Sequence, residues 1–374
     1  MFEVQKLSQI KIPLDWPNIG SLEKEYVLKA LDSGFVSTAG PLVKEFEDEF
    51  AAFLGCRNAV SVVNGTCGLH LALRLLNIGP GDEVIVPSLT FIASINPIAY
   101  AGATPVVVDV SADTWTIDPL QIEKAITSKT RAIIPVHLYG NPSDMAAIID
   151  IARRHNLYII EDATESLGAT YQGEYTGNLG DIGVFSFNGN KLITTGGGGM
   201  LVTANDELAK KARLLVNQGR QAGQREYIHM EIGYNYRLTN IQAALGLAQM
   251  KRLPEFLITK RANTEIYMEM LDGVPGISWQ QELPGAKSSW WFFSIIVDEG
   301  FKENKQFLIS RLTSKGIQVR LFFKPLNQQP CYVKYNFMNC PVAEDLYNRG
   351  INLPSASFLT TDDVHEVCRE LLKR

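Results

Sequence analysis

Residues 131–163 read RAIIPVHLYGNPSDMAAIIDIARRHNLYIIEDA. Two short apolar runs, RAIIPVHLYG and LYIIEDA, bracket the segment SDMAAIIDIARRHN, which reads as a helix. The runs lack a clean apolar–polar alternation, which is the pattern of strands buried on both faces. Strand, helix, strand is the unit of a mainly parallel, doubly wound sheet.

The same alternation continues in both directions. EVIVP (83–87) and TPVVVDV (104–110) precede it, and DIGVFSF (181–187) and GGMLVTA (198–204) follow. Earlier still, a helix is expected from Ser21, an N-cap candidate, to near Gly34, and another over PLVKEFEDEFAAFLG with Gly55 as its stop. These segments define a large domain, residues 1–250, ending after TNIQAALGLAQM. Beyond it the pattern changes to an aromatic strand WWFFSIIV, a helix NKQFLISRLTSKG, a strand IQVRLFF and a last helix DDVHEVCRELLKR. Residues 251–374 therefore read as a smaller α+β domain.

Composition narrows the functional classes. The chain has 374 residues, 46% hydrophobic and 20% charged, enough for a large core and more than one domain. A net charge of -5 argues against broad electrostatic binding to nucleic acid or an anionic membrane. Five cysteines without a CxxC pair suit free thiols in a reducing compartment, and five scattered histidines lack zinc-ligand spacing, so no metal site is expected. The amino-terminal residues carry no signal-peptide core. The longest charge-free run, 84–108, contains Pro87, Pro97 and Pro105 and reads as strand, helix, strand rather than a membrane span. A cytoplasmic protein is expected.

Three places could carry chemistry. In NGTCGLHLALRLL, Asn64, Gly65, Thr66 and Cys67 occupy a strand-to-helix turn whose free N–H groups and helix dipole favour a phosphate; an ordinary capped turn has the same residues. In LYIIEDATESLGA, Glu161 and Asp162 end a buried strand, where ligands of open α/β sheets bind; a helix N-cap or surface pair reads the same way. In FSFNGNKLITTGGGGM, four glycines follow Lys191 instead of preceding it, and no Ser or Thr is adjacent, which disfavours a triphosphate loop. A lysine held there can lose its proton and form a Schiff base, although a solvated loop lysine is the default. Together a phosphate turn, a strand-end aspartate and a reactive lysine are the parts of a pyridoxal phosphate site.

The text NGTCGLHLAL, GDEVIVPSLTFIAS, AGATPVVVDV, IIPVHLYG, IEDATESLGATYQG, GDIGVFSFNGNKLITTGGGGM and GYNYRLTNIQAALGLAQ resembles, in order, the DegT/DnrJ/EryC1/StrS family of sugar aminotransferases. The resemblance runs from about residue 13 to about residue 326. It implies a fold-type I pyridoxal phosphate enzyme with a mainly parallel seven-stranded sheet and a homodimer with sites at its interface. It also implies that Lys191 is the catalytic Schiff-base lysine and Asp162 the partner of the pyridine nitrogen. Ser186 joins Gly65, Thr66 and Cys67 in holding phosphate, and Phe91 stacks on the cofactor ring. Asn235 in GYNYR reaches the phosphate of the neighbouring subunit, with Arg237 a second candidate.

Two positions depart from the family pattern. Glu165 stands where many members have Gln, and a carboxylate facing the cofactor's phenolate oxygen requires a shared proton or a turn toward Lys191 or the substrate. Asn327 in KPLNQQP stands where many members have His, which puts a substrate role there in doubt. EDATES and SFNGNK resemble a narrower branch that aminates C4 of nucleotide-linked 4-keto-6-deoxy sugars for surface glycans such as O-antigen. REYIHMEIGYNYRLTNIQAALGLAQM resembles its legionaminic-acid group. The implied partners are L-glutamate and a UDP- or GDP-linked 4-keto-6-deoxy-GlcNAc type sugar, with no nucleic acid or membrane. A perosamine-synthase-like enzyme acting on a non-acetamido sugar and a pyridoxal phosphate-dependent sugar dehydratase are the alternatives.

Overall fold

A computed structural model describes residues 10–220, 226–335 and 337–373. Residues 1–9, read above for a leader, lie outside these, as do residue 225, which opens REYIHMEI, and residue 374, which closes the last helical segment. Seven strands form the main sheet: β1 Asn58–Val62, β2 Glu83–Pro87, β3 Thr104–Val108, β4 Thr130–Ile133, β5 Tyr158–Asp162, β6 Ile182–Ser186 and β7 Gly199–Thr203. Their order is β1-β7-β6-β5-β4-β2-β3. Pairing is parallel from β3 through β2, β4 and β5 to β6, while β7 runs antiparallel to both β6 and β1. The expected α/β sheet is thus present. Its strands are buried on both faces, which explains their unbroken apolar runs.

The direction of the strands positions everything that follows. Six of the seven end at one edge, where β1 leads into Asn64–Thr66, β2 into Thr90–Ser94, and β5 and β6 end in Asp162 and Ser186. β7 starts from that same edge, which places Gly197 and Gly198 there as well.

A second sheet has four antiparallel strands, β8 Ile277–Trp279, β9 Ser294–Val297, β10 Arg320–Leu321 and β11 Gly350–Asn352, in the order β8-β9-β11-β10. The expected domain division falls inside one continuous helix, Asn240–Leu271, which includes Pro254. The extended segment before the first helix crosses to this carboxyl-terminal part. Gln318 N–H donates to the Ile12 carbonyl at 3.0 Å and Ser355 N–H to the Leu14 carbonyl at 2.7 Å. Among the described residues no helix is long and apolar enough to cross a membrane.

Local expectations need four adjustments. Gly20, not Ser21, is the N-cap of helix Ser21–Asp32, and its N–H bonds the Glu23 carboxylate at 2.6 Å. RAIIPVHLYG is a strand only to Ile133; Pro135 has no N–H to give, and Tyr139 adopts φ +57 in a 3-10 turn. WWFFSIIV is a strand only from Ser294, because Trp290 has φ +50 and the aromatic residues fill the core between the two sheets. IQVRLFF is extended in a sheet only at Arg320 and Leu321.

Candidate active site

At the carboxyl edge of the main sheet lies a cavity of ≈ 320 Å³. Asp162, Glu165, Ser186, Lys191, Trp291 and Arg320 line it, together with the Asn64–Thr66 turn and Phe91. β5 presents Asp162 to the cavity and the preceding Glu161 to the opposite face, as strand geometry requires. Glu161 accepts N–H groups of Gly177, Leu179 and Gly180 at 2.8, 2.6 and 2.6 Å, and lies 3.0 Å from His137 Nε2. Its role is to hold a turn. Asp162 Oδ2 accepts the Ser94 hydroxyl at 2.7 Å and Oδ1 the Thr164 N–H at 3.2 Å, so its carboxylate is fixed in direction.

Lys191 follows β6 in a tight turn closed by its own N–H on the Asn188 carbonyl at 3.0 Å. Its side chain is 13% exposed, and Nζ lies 3.7 Å from Glu165 Oε1, too far for a strong hydrogen bond. Nζ also sits 3.7 Å from the centroid of the Trp291 ring. Burial lowers the basicity of the Lys191 amine; Glu165, Asp162 and Asp15 draw it back toward the charged form, and Arg320 opposes them. Burial likewise pushes the Glu165 carboxyl up to about 7, against the pull of Lys191 and of the Tyr139 N–H bonded to it at 2.9 Å. Burial thus drives both partners toward their neutral forms.

The turn after β1 has the form of an anion cradle. Asn64 caps the helix Gly65–Leu75 by accepting the Cys67 N–H at 2.8 Å, while the N–H groups of Gly65 and Thr66 find no acceptor among the described residues. A Cβ at Gly65 would stand 3.0 Å from Thr164 Cγ2 and 3.1 Å from Ser186 Cβ. Gly199 is equally constrained, since a Cβ there would meet the Phe185 carbonyl at 2.7 Å and Gly65 N at 2.9 Å. Across the cavity Phe91 is 52% exposed, its ring 5.4 Å from Phe323.

The structure brings Gly65, Thr66, Phe91, Asp162, Glu165, Ser186 and Lys191 around one cavity. Cys67 is not among the lining residues: its N–H belongs to the Asn64 cap, and burial raises its thiol. Asn235 is exposed and outside this cavity, and Arg237 has a buried Nε without a partner. Asn327 is engaged within the chain, accepting from the Ser88 hydroxyl and donating to Glu344, each at 2.8 Å. Glu165 turns toward Lys191, one of the expected outcomes. Trp291, Arg320 and Ser94 were missed. The first two lie in runs that read as strands, and Ser94 closes the segment SLTFIAS without a chemical signature of its own.

These residues suit pyridoxal phosphate. Free N–H groups beside Ser186 match a phosphate, a fixed carboxylate matches a pyridinium N–H, and a buried amine matches the aldehyde. The model of the DegT/DnrJ/EryC1/StrS aminotransferase family matches residues 17–372. A GDP-perosamine synthase of Caulobacter vibrioides is 42% identical over 362 residues, covering 96% of this chain and 97% of that protein. A GDP-perosamine synthase of Escherichia coli O157:H7 is 43% identical over 360 residues, with the same coverage. Spr1654 of Streptococcus pneumoniae, provisionally assigned as a sugar aminotransferase and solved in its PLP form, superposes with a TM-score of 0.91. It is 31% identical, covering 96% of this chain and 97% of that one.

Proposed function

The chain belongs to the DegT/DnrJ/EryC1/StrS aminotransferase family and is a fold-type I, pyridoxal phosphate-dependent aminotransferase; on that premise we propose that it moves an amino group from L-glutamate to C4 of a nucleotide-linked 4-keto-6-deoxy sugar. The observation that carries this reading is the single cavity joining Lys191, Asp162 and the Gly65–Thr66 turn. The names of the two relatives favour a GDP-linked, non-acetamido acceptor over the 2-acetamido one. Lysine at 191, where related sugar dehydratases resemble this chain but carry histidine, disfavours loss of oxygen as the reaction.

Pyridoxal phosphate, when bound, supplies an aldehyde that takes up amines and a protonated ring that accepts electrons. Gly65 N–H, Thr66 N–H and the Ser186 hydroxyl, all at this cavity, would hold the phosphate, and Phe91 would cover the ring. Asp162, oriented by Ser94 and Thr164, keeps the ring nitrogen protonated. Lys191 Nζ would take the donor's α-proton and later return a proton to the sugar carbon, the work of a general acid and base, and burial lowers the basicity of this amine in that direction. Glu165, whose Oε1 lies 3.7 Å from that amine, would exchange the proton with it on closer approach. Arg320 donates no hydrogen bond within the chain among the described residues, leaving its guanidinium for a carboxylate of the donor.

The active unit is a homodimer. Asn235 is exposed, and so are its neighbours Tyr227, Met230 and Ile232 at 76%, 61% and 91%, an apolar segment that a second copy would cover. To test the reaction, purified protein is incubated with L-glutamate and a panel of GDP-, UDP- and dTDP-linked 4-ketosugars. Formation of 2-oxoglutarate and of an aminated sugar is then followed by mass. Lys191→Ala is expected to lower turnover by about 10²–10⁴-fold. A normal rate in that variant, or sugar deoxygenated without gain of nitrogen, refutes the assignment.

A further inference from the structure

Trp291 is tied down through both its indole N–H and its carbonyl. Its indole N–H donates to Asp15 Oδ2 at 2.7 Å and to the Asn190 carbonyl at 2.8 Å. Its own carbonyl accepts Lys260 Nζ at 3.1 Å. The ring, 2% exposed, packs on Phe292 with centroids 4.2 Å apart. Over the ring stands the Lys191 amine, 3.7 Å from the ring centroid. Nothing in the proposed reaction uses Asp15 or Lys260, although both are buried.

A buried ammonium needs replacements for lost water. Glu165 at 3.7 Å is a long partner for Lys191, and the other carboxylates that act on it are engaged, Asp162 by Ser94 and Thr164 and Asp15 by the Trp291 indole N–H. The negative face of an indole fills that need, most strongly where water is excluded. An indole whose N–H rests on a carboxylate is polarised so that its face becomes more negative.

We propose that Trp291 is a positioning residue whose indole face is the resting place of the Lys191 amine whenever that amine is not covalently engaged, and that Asp15, through the indole N–H, holds and polarises that face. The inference rests on Lys191 being the reactive amine. The face stabilises the charged form of Lys191 and so opposes the effect of burial. It keeps the amine protonated for the return step and within reach of the carbon that receives the proton. The charged groups around Lys191 are Glu165, Asp162, Asp15 and Arg320, and those around Asp15 are Lys260, Lys191 and Arg320. Trp291→Leu and Trp291→Phe leave these residues in place but remove the indole N–H that stabilises ionised Asp15, so a shift in those variants reports the ring and its tie to Asp15 together.

The test measures the Lys191 amine directly. Full-length protein freed of pyridoxal phosphate is acetylated with trace acetic anhydride across a pH range. The Lys191 peptide is then quantified by mass spectrometry, which gives the pH midpoint at which the amine becomes reactive. Trp291→Leu is expected to lower that midpoint by about one pH unit, and Trp291→Phe, which keeps a ring but loses the tie to Asp15, by about half a unit. Asp15→Asn, close in volume, keeps the indole and is expected to lower the midpoint, but by less when Trp291 is already Phe, which separates the path through the indole from the direct pull of the Asp15 charge. In the cofactor-loaded enzyme, single-turnover amination of the ketosugar is expected to slow by about tenfold in Trp291→Leu, with KM for glutamate unchanged. Wild-type midpoints in Trp291→Phe and Asp15→Asn overturn the proposal whatever happens to activity. Shifted midpoints in a protein that transfers no amino group uphold it while refuting the reaction proposed above.

Discussion

At Glu165 burial outweighs attraction. Its carboxyl rises from 4.5 to about 7 despite the nearby Lys191 amine and the Tyr139 N–H. A carboxyl whose affinity for the proton is raised on folding adds stability below its unfolded value, and that stability is lost as the pH climbs through about 7. Glu165→Gln removes the penalty. In the cofactor-free protein we expect the variant to match wild type near pH 4.5 and to exceed it at pH 8, by at most about 3 kcal/mol. Denaturant melts at the two pH values check this, and parallel curves would contradict the buried-acid reading. In the loaded enzyme the same variant should lose the acid limb near pH 7 from kcat/KM for glutamate, because the proton on Lys191 no longer has its relay. Of the residues around this amine, Glu165 was legible in EDATES, and the resemblance marked it as a departure. Trp291 was not, since an aromatic residue beside three others reads first as core.

The turn after β1 and the glycine run before β7 act as one element. Gly199 pairs with Val62 on one side and Ser186 on the other, so the phosphate turn, the serine and the glycines share a single register. Gly198 has φ +156, and a Cβ on it would lie 2.2 Å from Thr195 Oγ1. Gly198 and Gly199 therefore serve close packing, whereas a Cβ on Gly196 or Gly197 would meet no crowding, and Gly196 answers instead to its φ of +78. Gly65→Ala should leave the fold intact, because its neighbours at 3.0 and 3.1 Å are side-chain atoms that yield by a few tenths of an ångström. The new methyl would crowd the N–H cradle, and we expect pyridoxal phosphate affinity to fall by about tenfold in equilibrium dialysis, with a Tm change of a few degrees. Undiminished affinity would place the phosphate elsewhere. At this scale the sequence served well, because strand–turn–helix signals are local: EVIVP, the Gly55 stop (φ +66) and the Asn64 cap all formed as expected. WWFFSIIV failed for a physical reason. A short apolar run looks the same in a strand and in a loop that fills a core.

For the whole molecule, association is the open quantity. If the exposed segment around Ile232 packs on a second copy, a charge there must be buried unpaired or the interface must part. Ile232→Glu should convert the protein to monomers in sedimentation equilibrium and abolish amino transfer, because Asn235 then reaches no neighbouring site. A variant that sediments as wild type and stays active would detach that segment from assembly. The sequence by itself determined the mainly parallel sheet and offered Lys191, Asp162 and the Asn64–Thr66 turn as candidate parts of a site at its carboxyl edge, with Ser186 added by the family resemblance. These follow from short-range periodicity and from motifs that each lie within one segment. Only the tertiary structure decided which side of β5 faces the cavity, that Glu165 meets Lys191, and that Trp291 lies over the amine with Asp15 behind it. Asp15 and Trp291 are 276 positions apart. No local pattern records such a contact; it exists because the amino-terminal strand crosses to the carboxyl-terminal sheet, where burial makes one indole face the nearest substitute for water.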